Sequence, residues 1–257
     1  MKIGMFDSGI GGLTLLSKAV RVLPEEEYFY YADTDHVPYG TKSKDEIYEY
    51  SKAAVDFLLA KNVDIIVIAC NTATSVSAER LRSEYNIPII GIEPAVKPAV
   101  LGTKKRVLVL ATPMTVKEKK LHDLVERLDD EHRVDMKALG RLPKYAEQGR
   151  FSDQEVVDYI KSELSDIDAN KYAAIVIGCT HFNHFTDIFR DIFGDSIVFA
   201  DGSEGTVRHL VKRVEAMKTD TNEFGESKPS IHFYESGRDV TDVEKLDFYS
   251  MIMARIK

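Results

Sequence analysis

The chain alternates short apolar runs with longer stretches of helical periodicity over nearly its whole length. Runs at 2–6, 28–31, 65–69, 87–90, 106–110, 134–138, 173–177, 197–199 and 230–234 predict strands. Several are apolar at almost every position, as strands are when helices cover both faces of a parallel sheet. Between them, Ser43 with Glu46, Thr115 with Glu118 and Ser152 with Glu155 carry capping-box spacing. In that motif the hydroxyl accepts from the backbone three residues on while the carboxylate reaches back. After Ser43, Ile47, Tyr50, Ala54 and Leu58 recur at helical spacing and predict a helix laid on a sheet. Repeated βα units of this kind predict an α/β fold of doubly wound parallel sheets.

The pattern also repeats at long range. DIIVIACNTAT, residues 64–74, echoes YAAIVIGCTHF, residues 172–182: an apolar strand, a small residue, a cysteine, then polar groups. These are the only two cysteines, Cys70 and Cys179, and they lie 109 residues apart, about one domain length. Two similar halves, each ending a strand in cysteine, account for the echo. GIEPAVKPAV, residues 91–100, predicts the crossing between them, and the polar stretch 219–228 predicts a loop before the last strand.

Composition narrows the function. The 257 residues carry a formal charge of −8, with lysine and arginine scattered and only short clusters such as 117–120. Nucleic acid and anionic membranes demand a concentrated basic face, so neither is expected as a partner. The first residues, MKIGMFDSGIGG, are too short in apolar positions for a signal h-region, and no stretch approaches a membrane span. Two cysteines without a CxxC pattern point to a reducing, cytoplasmic setting.

Four segments carry candidate chemistry. In FDSGIGGLT, residues 6–14, a strand ends at Phe6, Asp7 and Ser8 follow, and a glycine-rich turn leads into a helix near Gly12. Such a turn can aim backbone N–H groups at an anion, or it can be no more than a tight βα connection. It matches a dinucleotide fingerprint poorly, because Thr14 stands where a third small residue belongs. In ADTDHVPYGTKS, residues 32–43, Pro38 fixes the backbone before Tyr39 and Gly40. His36 there reads as a base or a plain loop histidine, and Asp33, Asp35 and His36 lack the further ligands a metal site needs.

The remaining two segments are the cysteine echoes. A free cysteine is often a small buried hydrophobe. Here each closes an apolar strand, where open α/β sheets bind ligands, and each precedes polar groups: Asn71 and Thr72, Thr180 and His181. Nucleophilic catalysis needs only one thiol, and dithiol redox wants the pair at bonding distance. Two thiols on opposite faces of a carbon can remove a proton on one side and return one on the other, inverting a stereocentre.

GMFDSGIGGLT, HVPYGTKS, ACNTA, GIEPAV and GCTH, in this order, resemble the glutamate racemases of the aspartate/glutamate racemase superfamily. The resemblance implies two similar doubly wound parallel-sheet domains with the active site between them. It implies one domain of residues 1–95 completed by 208–257, and a second of residues 96–207. It also implies cofactor-independent interconversion of L- and D-glutamate, supplying D-glutamate for peptidoglycan. By position, Cys70 exchanges the proton on the D-glutamate side and Cys179 on the L-glutamate side, assisted by Asp7 and His181 respectively. Asp7, Ser8, Tyr39, Gly40, Asn71, Thr72, Thr180 and His181 bind the substrate, Glu147 takes an auxiliary role, no metal or cofactor is needed, and a homodimer is expected. The chain departs from the family pattern at Phe182 and Asn183, where Tyr-Pro is common, in ADGSEG around residue 201, and in GRLPKYAEQGR, which lacks a cysteine. Substrate comparison with aspartate separates the glutamate reading from a racemase of another acidic amino acid. A ligand-binding regulatory domain, the remaining alternative, predicts indifference to loss of either cysteine.

Overall fold

The apolar runs assemble into two sheets in the computed structural model, which describes residues 1–218 and 229–255. In chain order the elements are β1 (Lys2–Asp7), α1 (Leu13–Val22), β2 (Glu27–Ala32), α2 (Lys44–Ala60), β3 (Ile65–Ile68), α3 (Asn71–Glu84), β4 (Ile89–Gly91) and α4 (Val96–Leu101). Then come β5 (Arg106–Ala111), α5 (Pro113–Lys117), α6 (Lys119–Leu128), β6 (Val134–Ala138), α7 (Leu142–Glu147), α8 (Gln154–Glu163), β7 (Tyr172–Ile177), α9 (Thr186–Phe193) and β8 (Val198–Asp201). The chain closes with α10 (Ser203–Met217), β9 (Ser230–Glu235), the two-residue β10 (Arg238–Asp239) and α11 (Val243–Arg255). All nine strand runs form strands, shifted by a residue or two at their ends. Only β10 has no counterpart in the apolar pattern.

The first sheet has the order β10-β9-β2-β1-β3-β4 and the second β6-β5-β7-β8. All pairings are parallel except the β9–β10 hairpin. The two sheets share one strand order, β2-β1-β3-β4 matching β6-β5-β7-β8, which is the architectural counterpart of the sequence echo. In each, the first strand of the unit sits between the second and the third, so the order reverses at β1/β3 and again at β5/β7. Ligand crevices of open α/β sheets form at the carboxyl ends beside such reversals. Cys70 follows β3 and Cys179 follows β7 by two residues, so the thiols occupy equivalent places.

Burial follows the pattern. Every residue of β3 is buried, as are the last five of β1. One apolar core runs continuously from Ile3, Met5 and Tyr30 in the first sheet to Leu108, Ile175 and Phe182 around the second. The last segment returns to the first sheet: β9 pairs with β2, and Ser17 of α1 donates to the Met253 carbonyl. The predicted 91–100 crossing carries the chain from β4 into α4 and the second sheet. The predicted loop at 219–228 lies outside the described residues.

The capping boxes divide. Ser43 forms a complete one with Glu46 at the start of α2, and of the predicted stripe Ile47, Ala54 and Leu58 are buried while Tyr50 is half-buried. Thr115 and Glu118 do not form one. Thr112 caps α5 instead, Thr115 joins a buried hydroxyl cluster, and Glu118 turns to Lys44, 3.0 Å away. Nor do Ser152 and Glu155. Helix α8 starts one residue later at Gln154, and Glu155 accepts from Arg150 and Tyr145 at 2.7 and 2.9 Å. In both failures a tertiary partner outcompetes the local bond.

Where the two inter-sheet connections cross, backbone meets backbone. A Cβ on Gly202 would stand 2.2 Å from the Glu93 carbonyl oxygen. Gly202→Ala therefore forces the crossings apart and is expected to cost about 1–3 kcal/mol in urea denaturation. Gly205, in the first turn of α10 with nothing within 4 Å of its would-be Cβ, is the control. Gly205→Ala is expected to stabilise by roughly 0.5–1 kcal/mol, and equal effects at the two positions would contradict the crossing contact.

Candidate active site

Strand β1 delivers Asp7 to its carboxyl end, fully buried. Its Oδ2 accepts from the Gly9 N–H at 3.0 Å and its Oδ1 from the Thr180 hydroxyl at 3.1 Å. Burial pushes the carboxyl up from an ordinary 3.8 to about 6. His181 and the Gly9 N–H pull it partly back, and the Glu147 charge pushes it up. The glycine-rich turn differs from the anion cradle its sequence suggests. The Gly9 N–H is taken by Asp7, and the Ile10 N–H donates to Glu147 Oε1 at 2.7 Å. The glycines are there for close approach across the two sheets. A Cβ on Gly9 would fall 1.9 Å from Glu147 Oε1, and one on Gly11 2.4 Å from Thr180 Oγ1.

Cys70 is the N-cap of α3, the place usually held by serine, threonine or aspartate. Its sulfur accepts from the Ala73 N–H at 3.4 Å, and the thiol donates to Ser8 Oγ at 3.6 Å. The apolar β3 run ends there because the helix needs a cap, which puts the thiol at the positive end of a 14-residue helix. Burial and the Asp7 charge nevertheless push Cys70 up to about 12, with the Ala73 N–H and Ser8 opposing. In this closed form Cys70 carries its proton.

Cys179 has a different neighbourhood. His181 Nδ1 lies 3.8 Å from its sulfur, and His181 Nε2 lies 2.6 Å from Glu147 Oε1. Burial alone would lower the imidazole, but the bonds to Cys179 and Glu147 outweigh it and hold His181 well above the usual histidine range. His181 is therefore an imidazolium fixed between a thiol and a carboxylate, complementary to negative charge on that sulfur. The departure at 182–183 leaves this arrangement intact: Phe182 is buried in the core, and Asn183 Nδ2 donates to the Thr180 carbonyl at 3.3 Å.

Both cysteines line one cavity, shared with Ser8, Tyr39, Gly40, Asn71, Thr72, Thr180 and His181. Asp7 and Glu147 stand behind it, acting through Thr180, Ser8's neighbour Gly9, and His181. Sequence reasoning missed three lining residues, Pro38, Thr112 and Pro143. Thr112 follows β5, the strand equivalent to the one carrying Asp7, and this topological equivalence is the signal that points to it. Its hydroxyl lies 3.2 Å from Thr72 Oγ1 and 3.0 Å from Thr115 Oγ1. Tyr39 lines the cavity but donates its hydroxyl to Asp33 Oδ2 at 2.6 Å. His36 stays outside, paired with Asp33 and stacked on Tyr50, while Asp35 pairs with Arg238. Among the described residues no group of three or more His, Cys, Asp or Glu is placed to hold a metal.

Among the described residues no lysine or arginine lines the cavity, so a carboxylate there meets hydroxyls, the Asn71 amide, the His181 ring and backbone N–H groups. Asn71 Oδ1 is buried and has no hydrogen-bond partner among the described residues. The cavity is small, about 10 Å³, room for roughly one water. A larger open cleft of about 1310 Å³, lined in part by Lys97, Arg190 and Arg208, shares no residue with it. Chemistry rather than size selects the site.

Comparison with known proteins agrees with this geometry. Residues 11–210 match the family model described as Asp/Glu/Hydantoin racemase. The chain is 47% identical over 255 residues to glutamate racemase 2 of Bacillus subtilis, covering 98% of this chain and 95% of that one. It is 46% identical over 259 residues to the glutamate racemase of Halothermothrix orenii, covering all of both. The crystal structure of Escherichia coli glutamate racemase in complex with L-glutamate and the activator UDP-MurNAc-ala superposes with a TM-score of 0.82 at 26% identity, covering 96% of this chain and 94% of that one. No helix among the described residues is long and apolar enough to cross a membrane. With two thiols facing one cavity at equivalent strand ends and a family model spanning most of its length, the chain belongs to the Asp/Glu/hydantoin racemase family, whose members are isomerases.

Proposed function

We infer that this chain interconverts L- and D-glutamate by a two-base mechanism needing no cofactor. The observation that carries the reading is the pair of cysteines at equivalent strand ends, lining one cavity with separate acid–base partners. One thiolate takes the α-proton, and the opposite thiol gives its own proton to the other face of Cα. No electron is gained or lost, and the second thiol is left as thiolate. Cys70 serves the D-glutamate side, backed by Asp7, and Cys179 the L-glutamate side, backed by His181 and Glu147.

Ser8, Asn71, Thr72, Thr112, Thr180 and the Tyr39–Gly40 turn hold the carboxylates. Such neutral donors stabilise the charge that grows as the α-proton leaves, and exclusion of water strengthens them. The same reading divides the chain into 1–95 with 208–257, and 96–207. The β9–β2 pairing supports giving the C-terminal segment to the first part. Supply of D-glutamate to peptidoglycan, a cytoplasmic location and a homodimer belong to this reading through the family resemblance.

The direct test is incubation with L-glutamate in heavy water with no added cofactor. D-glutamate and solvent-derived deuterium at Cα are expected, and the absence of both sinks the proposal. Cys70→Ala and Cys179→Ala are each expected to lower kcat/KM by about 10³-fold or more while leaving the circular dichroism unchanged, a loss in the range of general acid–base catalysis. Near-normal turnover in either variant contradicts the two-thiol assignment.

Asp7 gives a test in stability. Below about pH 4 it is protonated in both the folded and the unfolded chain. As pH rises from 3.8 towards 6 the unfolded chain ionises first, so ionisation withdraws stability, fully so above about 6. Asp7→Asn removes that penalty. The variant is expected to be inactive yet more stable at pH 8 by about 3 kcal/mol, with the advantage vanishing below pH 4. Denaturation of both proteins across pH reads it, and a constant difference is the opposing result.

A further inference from the structure

A buried hydroxyl outside the cavity fixes the peptide that bonds the Glu147–His181 pair. Tyr30 lies on β2, paired across the sheet with Met5 of β1, and its side chain is fully buried. Its ring meets Phe233 edge-on at 6.2 Å, and its hydroxyl donates to the Gly9 carbonyl at 2.6 Å. A Cβ on Gly12 would come within 2.8 Å of that hydroxyl. Burial, followed by the charges of Asp7 and Tyr249, keeps the phenol well above the usual tyrosine range, so it remains a donor at every working pH.

The Gly9 carbonyl and the Ile10 N–H belong to one planar trans peptide, so they point in opposite directions. Fixing the carbonyl on Tyr30 fixes the N–H that points away from it, and that N–H donates to Glu147 Oε1, the oxygen bonded to His181. The Gly9 N–H, which donates to Asp7 Oδ2, belongs to the preceding Ser8–Gly9 peptide and lies outside this clamp. We propose that Tyr30 is a positioning residue for the proton transfer at Cys179. By clamping the Gly9–Ile10 peptide it aims the Ile10 N–H at Glu147 and so holds the Glu147–His181 pair in place. This role rests on the racemase reading above. It differs from the parts assigned to the cavity residues, because Tyr30 bonds neither Glu147 nor His181 and acts on them through one peptide.

The test compares Tyr30→Phe with Tyr28→Phe. Tyr28 is an equally buried neighbour on β2 whose hydroxyl donates to the Ala19 and Leu23 carbonyls, away from the cavity. Each substitution removes one buried hydroxyl oxygen; Tyr30→Phe leaves one carbonyl without that donor and Tyr28→Phe two, so the general structural loss in the control is no smaller. The wild-type protein is assayed first for exchange at Cα of glutamate. If it shows none, the racemase reading fails and the role of Tyr30 falls with it. If it is active, Tyr30→Phe is expected to lower kcat/KM about ten-fold or more, mostly through kcat. KM should stay near the wild-type value. Tyr28→Phe should keep both the wild-type kcat and KM. An active wild type with Tyr30→Phe kinetics that match those of Tyr28→Phe overturns the proposal. Should Tyr30→Phe not fold, 3-fluorotyrosine placed at residue 30 keeps the ring packing and makes the hydroxyl a stronger donor. An unchanged kcat in that protein overturns the proposal as well.

Discussion

The structure depends on a buried seam between the carboxyl ends of two sheets. Asp7 from the first bonds Thr180 from the second, and the Ile10 N–H from the first bonds Glu147, which in turn holds His181. Each thiol alone is a capped helix or a strand end, with no second thiol across the cavity. Only the seam puts both on one cavity. It can close because Gly9 and Gly11 lack side chains, since a methyl group at either would collide with Glu147 or Thr180. An ionised carboxylate is costly to bury unless hydrogen bonds answer it. Asp7 is only partly answered, and the remaining cost appears as its raised pKa.

The seam also makes the two halves unequal although their strand orders match. Cys70 faces neutral groups, the Ser8 hydroxyl that accepts from its thiol and the Ala73 N–H that donates to its sulfur, with a carboxylate behind. Cys179 faces an imidazolium with a carboxylate behind that. A pair built this way rests with a proton on Cys70 and a cation beside Cys179. The asymmetry comes from which residues follow each cysteine. Asn71 opens a regular α-helix, whereas Thr180 and His181 enter a 3-10 turn.

Much of this was legible because strand ends announce themselves. An apolar run closing on Cys-Asn-Thr or Cys-Thr-His locates a carboxyl end, and the echo between the runs puts both cysteines at equivalent positions. What remained hidden was every interaction set by distance in space. Glu147 to Ile10 spans 137 residues and has no local signature. The glycine-rich turn has the composition of an anion cradle, and only the residues packed on it reveal that its N–H groups are occupied. Two of the three capping boxes failed for the same reason, since Thr115 and Glu155 found better partners than their own helix ends. Thr112 was overlooked because a threonine after an apolar strand is common, and its importance comes from the Thr72 and Thr115 hydroxyls meeting it.

The closed cavity imposes one further requirement. A space for about one water cannot admit an amino acid, so the seam must part and re-form in every turnover. The two chain crossings meet at Gly202 and Glu93, where backbone packs on backbone. At the mouth the sheets are joined by polar contacts: Lys44 with Glu118, the threonine cluster, Asp7 with Thr180, and Ile10 with Glu147. Polar contacts of this kind exchange for water at small net cost, whereas the continuous apolar core around Leu108, Ile175 and Phe182 does not. Parting at the polar mouth therefore costs less than parting through that core. The Thr72, Thr112 and Thr180 hydroxyls bond across this mouth and also line the cavity, so access to the cavity breaks these same hydrogen bonds.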